Sequence, residues 1–218
     1  MIGVVFPSSF ESADLLNQMT ERVAARPEKY CATWLGKLEG QEIAVGVVGM
    51  GPPHCASRTE SFIEFYQLSH LILAGYAGAL DPALKRGEVF INRGQGKIHT
   101  ARDVIATAED KARLLAETGA PLVDMESDFI AEVAQKHDLP LTVIRAVSDL
   151  ASESVPVDIL QHSYDQEKGV TTPFRLGLHL AVHWGDIPRL MRFLKPLSGV
   201  RRALTSVVVK EVAKLAEE

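Results

Sequence analysis

Short apolar, β-branched runs alternate with helix-length amphipathic stretches through the first 150 residues, and that alternation limits the fold more than any other feature of the chain. Residues 1–6 read as a buried strand. Pro7-Ser8-Ser9 breaks it and caps a helix in which Leu15, Leu16, Met19 and Val23 share a face. Residues 30–38 and 42–48 read as strands joined by the turn Glu39-Gly40-Gln41. Gly49-Met50-Gly51-Pro52-Pro53 forms a tight loop ahead of a helix over 55–68. Strands follow at 70–74, 88–92 and 103–106, then a charged helix over 109–117, an extended segment at 121–124 and a helix over 125–137. The run 141–147 is rich in β-branched residues, as a central strand should be. From Phe174 onward the pattern is helical, with Pro188 at a helix start and Pro196-Leu197-Ser198-Gly199 as a break.

This order implies an α/β chain with a mixed, mostly parallel central sheet flanked by helices. A length of 218 residues suits one domain over 1–218, with a helical C-terminal segment from about 171, because two cores would each be small. In such folds ligands sit beyond the carboxyl ends of the strands. The loops that matter are therefore those after Phe6, Val48, Ala74, Asp124 and Val147.

Composition narrows the partners. A net charge of -5 argues against nucleic-acid binding. From Thr171 onward eight Lys/Arg stand against four Asp/Glu, leaving the rest of the chain near -9. Leu190, Phe193, Leu194 and Leu197 with Arg189, Arg192 and Lys195 could therefore form an amphipathic membrane surface, but core packing or a dimer contact is the plainer account. Cys31 and Cys55 have neither bridge-framework nor metal spacing, so free thiols are expected. No export signal and no apolar run of about 18 residues is visible, so a cytoplasmic, soluble chain is expected. His179 and His183 stand at i, i+4, a metal-compatible spacing, yet a partly buried helix face explains them better than a site lacking further ligands.

The strand ends carry groups that a bare scaffold does not need. These are Glu11, Gly49-Met50-Gly51, Gly75-Tyr76-Ala77-Gly78, Asp124 with Glu126, and Arg145 with Ser148-Asp149. Each has a dull reading alone: helix-dipole acids, common glycine turns, or a cap. Their placement at one sheet edge favours function.

Together, Gly49-Met50-Gly51, the run 74–88 (AGYAGALDPALKRGE), Val123-Asp124-Met125-Glu126-Ser127 and Ile144-Arg145-Ala146-Val147-Ser148-Asp149 resemble the nucleoside phosphorylase/nucleosidase superfamily. The likeness is to methylthioadenosine/S-adenosylhomocysteine nucleosidases, futalosine hydrolases and hopanoid-associated phosphorylase-like proteins, and the tail (184–190, 201–204) is similar to the last group. It implies cleavage of a purine nucleoside's N-ribosidic bond without cofactor or metal, in a homodimer or higher oligomer. It assigns Asp149 as the acid at the base, oriented by Ser148, with Arg145 holding that loop. Glu126 falls on the ribose hydroxyls, Met125 against the ribose, and Glu11 on the attacking water. Ala77 and Gly78 line the sugar side, and Val104 or Ile105 covers the base. Leu73 and Tyr76 stand where hexameric phosphorylases have an arginine and a serine for phosphate, which favours water as nucleophile. Arg58, His54 and Arg93 could supply charge for phosphate from elsewhere, but each reads better as a surface residue. Tyr76 also replaces the small serine of many nucleosidases, a change expected either to reshape the pocket or to displace its usual water. Two alternatives remain: a phosphorylase acting on a nucleoside or lipid-linked nucleoside, and an inactive nucleoside-binding module.

Overall fold

The computed structural model describes residues 1–25, 31–92, 98–165 and 170–217. Strand β1 (Ile2–Phe6) is followed by α1 (Ser9–Gln18), then β2 (Thr20–Ala25), β3 (Ala32–Leu38), β4 (Gln41–Val47) and α2 (His54–Phe65). The middle of the chain supplies β5 (His70–Ala79), β6 (Val89–Asn92), β7 (Ile98–Thr100), α3 (Ala108–Thr118), β8 (Leu122–Asp124), α4 (Ser127–Lys136) and β9 (Leu141–Asp149). The last third contains α5 (Val157–Leu160), the short pair β10 (Tyr164–Asp165) and β11 (Val170–Thr171), then α6 (Pro173–Val182), α7 (Ile187–Leu194) and α8 (Leu197–Glu217).

The centre of the sheet is parallel. β1 lies between β4 and β5, and β5 continues the parallel pairing to β9. The antiparallel strands β2, β3 and β6 sit toward the edges. Alternate side chains of the central strands divide the core into two layers, as a buried strand's period of two requires. Val4, Phe6, Ile72, Ala74 and Ile144 meet Leu15 and Leu16 of α1 and Leu197, Val200, Leu204 and Val208 of α8. Val5, Leu71, Leu73 and Val143 face Cys55, Phe62 and Ile63 of α2 and Ile130 and Ala134 of α4.

Four local expectations change. Helix α1 stops at Gln18, and the backbone turns into β2, so Val23 is a 59% exposed edge-strand residue and not part of a helical face. Residues 103–106 form no strand; the strand of this region is β7, a three-residue partner for β8. β5 does not end at Ala74 but runs to Ala79, so residues 75–78 are strand and not loop. Likewise β9 runs to Asp149, which puts Ser148 and Asp149 in the sheet and not in a capping turn. The first residue of the strand expected at 30–38 lies outside the described residues.

In the tail, Leu190 and Leu197 are buried and Phe193 and Leu194 pack on the core, so these four form no membrane-facing surface. No described helix is long and apolar enough to cross a membrane. Cys31 and Cys55 are free.

Candidate functional site

The sheet forks at β5. One edge of this strand is paired with β9 from Leu71 to Gly78. The other edge pairs with β1 only as far as Leu73, and then with antiparallel β8 at Gly78 and Ala79. Between those pairings an edge of β5 is open at the carboxyl end of β1, and side chains from distant parts of the chain close around it.

Glu11 fills one part of the gap. Ser8 caps α1, accepting from the Glu11 N–H at 3.4 Å, and so places Glu11 in the first turn. Its Oε1 accepts from the backbone N–H of Tyr76 at 2.8 Å, a donor that the fork leaves without a strand partner, and its Oε2 from the Ser8 hydroxyl at 2.5 Å. Burial pushes the Glu11 carboxyl above its ordinary range, opposed by the Ser8 and Tyr76 hydrogen bonds and by the Arg145 guanidinium.

Arg145 is fully buried on β9 and organises the acids at the end of β8 and at the cap of α4. Its Nη2 lies 2.6 Å from Asp124 Oδ2 and 3.1 Å from Glu126 Oε2. Asp124 also accepts from the Thr100 hydroxyl at 2.9 Å and from the Ser127 hydroxyl, so it is saturated by structural partners. Glu126 is different. Its Oε1 accepts from the N–H of Gly51 at 2.9 Å, which Gly51 presents from a left-handed backbone at φ +64. Burial pushes the Glu126 carboxyl up to about 7, against Arg145 and with help from Asp124. Nε and Nη1 of Arg145 are buried without a hydrogen-bond partner among the described residues.

The third acid stands at the end of β9. Asp149 Oδ1 accepts from the Ser148 hydroxyl at 2.5 Å, and Ser148 Oγ lies 3.2 Å from the carbonyl of Ala77. Oδ2 lies 2.5 Å from Nζ of Lys111. The two glycines of the strand make this arrangement possible. A Cβ on Gly78 would stand 3.1 Å from Asp149 Oδ2, and one on Gly75 would stand 3.1 Å from Glu11 Oε1 and collide with Arg145 Nη1. Glu11 and Arg145 thus stand against Gly75, and Asp149 against Gly78, on the same strand.

Lys111 was not singled out by the sequence, where it reads as part of a charged helix. A signal was present: Leu114 and Leu115, three and four residues on, lie on the same side of α3 and are partly buried. Thr107 caps that helix, and Lys111 is its one buried residue.

The other expected residues divide. Met125 is half-buried, with its Cε 3.1 Å from the position of a Cβ on Gly51, so it lies beside the turn that donates to Glu126. Tyr76 contributes its backbone N–H, but its phenol turns into the α1–α8 layer, where the hydroxyl lies 3.4 Å from the Leu197 carbonyl. Its ring is partly buried and packs against that layer. Val104 is 45% exposed, and Ile105 packs on Leu80, Ala101 and Val123. Arg58 is not a surface residue: it is buried under the Gly49 turn, its Nη1 2.9 Å from the position of a Gly49 Cβ. His54 is half-buried at the start of α2, and Arg93 lies outside the described residues. Tyr164 was missed as well; its Oη accepts from the N–H of Met50 at 2.8 Å. His179 stacks between His162 and His183, at centroid distances of 4.1 and 4.3 Å, and Asp186 Oδ2 lies 2.9 Å from its Nε2. A carboxylate therefore does stand beside this pair, contrary to the sequence reading.

The sequence profile of the phosphorylase superfamily matches residues 1–94 and 91–180. The chain belongs to the phosphorylase superfamily. Two curated relatives are 5′-methylthioadenosine/S-adenosylhomocysteine nucleosidases. That of Haemophilus influenzae (strain PittGG) is 29% identical over 137 residues, 62% of this chain and 58% of that protein. That of Staphylococcus aureus (strain JH9) is 24% identical over 202 residues, covering 70% of this chain and 87% of that protein. The matched region thus spans 58% of the Haemophilus relative's length. Among solved structures, the Colwellia psychrerythraea 34H nucleosidase in complex with adenine superposes with a TM-score of 0.65 at 21% identity, over 71% of this superfamily member and 84% of that chain. A futalosine hydrolase mutant of Helicobacter pylori strain 26695 does so with a TM-score of 0.63 at 20% identity, over 70% and 86%. These likenesses establish the shared fold.

Proposed function

We propose that this superfamily member hydrolyses the N-glycosidic bond of a purine nucleoside of the adenosyl type. The observation that carries the reading is the placing of three buried acids along β5: Glu11 at Gly75 and Tyr76, Glu126 joined to it through Arg145, and Asp149 over Gly78 at the end of the open stretch. The nucleosidase names of its relatives, and the adenine held by the Colwellia protein, support the same substrate class.

Breaking the bond leaves positive charge on the sugar and pushes an electron pair onto the base. Asp149 delivers a proton to a base nitrogen so that the base departs neutral, an effect worth about 10²–10⁴-fold. Ser148 fixes the orientation of its carboxyl. Glu126 accepts hydrogen bonds from the ribose hydroxyls, and its negative charge stabilises the cationic sugar. Met125 packs on the ribose, and the backbone of Ala77 and Gly78 lines its far side. Val104 and Ile105, on the connection into α3, cover the base. Glu11 takes the proton of the attacking water, a task suited to a carboxylate whose affinity for protons is raised by burial. Arg145 positions Glu126 and keeps the cluster of acids from repelling itself apart.

A second reading rests on Arg58. Phosphate needs fixed cationic donors, and Arg58 is a buried cation at the Gly49 turn; it would favour phosphorolysis over hydrolysis. Incubating methylthioadenosine, S-adenosylhomocysteine, adenosine, inosine and futalosine with the protein, with and without phosphate, decides between them. Free base with free sugar in phosphate-free buffer is the expected product. Sugar 1-phosphate formed only with phosphate would establish the second reading. Release from none of the five would reject both for these substrates.

A further inference from the structure

We infer that Lys111 is the positioning residue behind Asp149, and that the ammonium it carries is the source of the proton the departing base receives. The inference rests on the functional reading of Asp149 given above.

Lys111 has no exposed surface, although its chain could have reached solvent from an eleven-residue surface helix. A buried ammonium is costly unless every proton is bound. Here all three are. Nζ donates to Asp149 Oδ2 at 2.5 Å, to the Leu150 carbonyl at 2.8 Å and to the Glu153 carbonyl at 2.9 Å. A leucine could fill the space without that cost, so packing alone does not account for the residue.

The geometry also bears on Asp149. Both of its oxygens are engaged, one by the Ser148 hydroxyl and the other by Lys111. The carboxyl is held in one orientation, with an N–H donor on one oxygen and an O–H donor on the other. Glu153 follows β9 and is joined to Arg86 from the β5–β6 connection, and its carboxylate accepts from the Leu150 N–H at 2.9 Å. The Glu153 carboxylate is thus committed elsewhere, and Asp149 is the only carboxylate bonded to Nζ among the described residues.

The step balances as follows. The C1′–N9 bond breaks and its electron pair enters the purine. Asp149 passes a proton to N7, and the ammonium of Lys111 passes one to Asp149, leaving a neutral amine. A water oxygen bonds to C1′ while Glu11 takes its proton. After the products leave, Glu11 loses that proton to solvent and Lys111 recovers one.

The test compares two substrates with the full chain in phosphate-free buffer: methylthioadenosine, and the same nucleoside methylated at N7, whose base leaves neutral without receiving a proton. Lys111→Gln should slow the first by about 10²-fold or more in kcat with little change in KM, and leave the second at its wild-type rate. Lys111→Arg keeps a cation but does not give up its proton, so it should show the same split; it carries the test if Lys111→Gln does not fold. Equal slowing of both substrates by Lys111→Arg, or restoration of the methylthioadenosine rate by it, would overturn the inference alone. Wild-type protein that cleaves neither substrate would overturn the functional reading, and the inference with it.

Discussion

Nη1 of Arg145 occupies the space that any side chain at Gly75 would need, so a glycine on β5 and an arginine on β9 are fitted to one another. The same hypothetical Cβ stands 3.0 Å from Pro7 Cδ and 3.1 Å from Glu11 Oε1, and the guanidinium is held in place by Asp124 and Glu126. Gly75→Ala is therefore expected to destabilise the fold by about 1–3 kcal/mol, as overpacking of a closed core does. The shift of the urea midpoint measures it.

Arg145 itself holds two buried carboxylates. Arg145→Leu would leave Asp124 and Glu126 without their cation, and breaking a buried pair in this way costs about 3–5 kcal/mol. Arg145→Leu combined with Asp124→Asn should recover part of that loss, because one uncompensated charge is removed with its partner. A denaturation series on the single and double variants checks the coupling.

Glu126 gives stability a pH signature. Burial raises its carboxyl to about 7 in the fold, from an ordinary 4.5. A group with a raised folded pKa binds its proton more tightly in the folded chain, so its stabilising contribution is complete below the unfolded value and is lost as pH rises through the folded one. Glu11 is raised in the same direction. Stability should fall between about pH 4.5 and pH 7, and Glu126→Gln should flatten that fall. Thermal midpoints across the window give the comparison, and an equally steep fall in the variant would contradict the assignment to Glu126.

Tyr164 ties the C-terminal third of the chain to the Gly49–Gly51 turn through the Met50 N–H. Tyr164→Phe removes that acceptor and should cost about 0.5–1.5 kcal/mol, a typical single hydrogen bond. Because Gly51 in the same turn donates to Glu126, the substitution should also raise KM for the nucleoside more than it lowers kcat. Steady-state kinetics on the purified variant separate the two.

The sheet and its helices were legible in sequence because β-branched runs such as 141–147 and amphipathic stretches such as 125–137 have distinct periods. Glu11, Glu126 and Asp149 stood out in sequence because they fall near strand ends where a scaffold has no need of them, and the fold buries all three. What escaped were features set by tertiary contact. Glycines 75 and 78 look like loop residues, yet they continue β5 because β9 pairs alongside them. Val23 matches a helical face, but it pairs with Leu35 across a sheet edge. Lys111 and Arg58 look like surface cations by residue type alone; their burial depends on partners 38 residues away for Lys111 and on the turn above Arg58.

Release of adenine from methylthioadenosine in phosphate-free buffer, by wild-type protein and by Asp149→Asn, tests the central claim most directly. The amide keeps the shape of the side chain but cannot relay a proton as the carboxyl does. Wild-type protein should release adenine, and the variant should be slower by about 10²–10⁴-fold in kcat while still binding adenine. An Asp149→Asn protein that turns over at the wild-type rate would contradict the role given to Asp149, and with it the site described around β5.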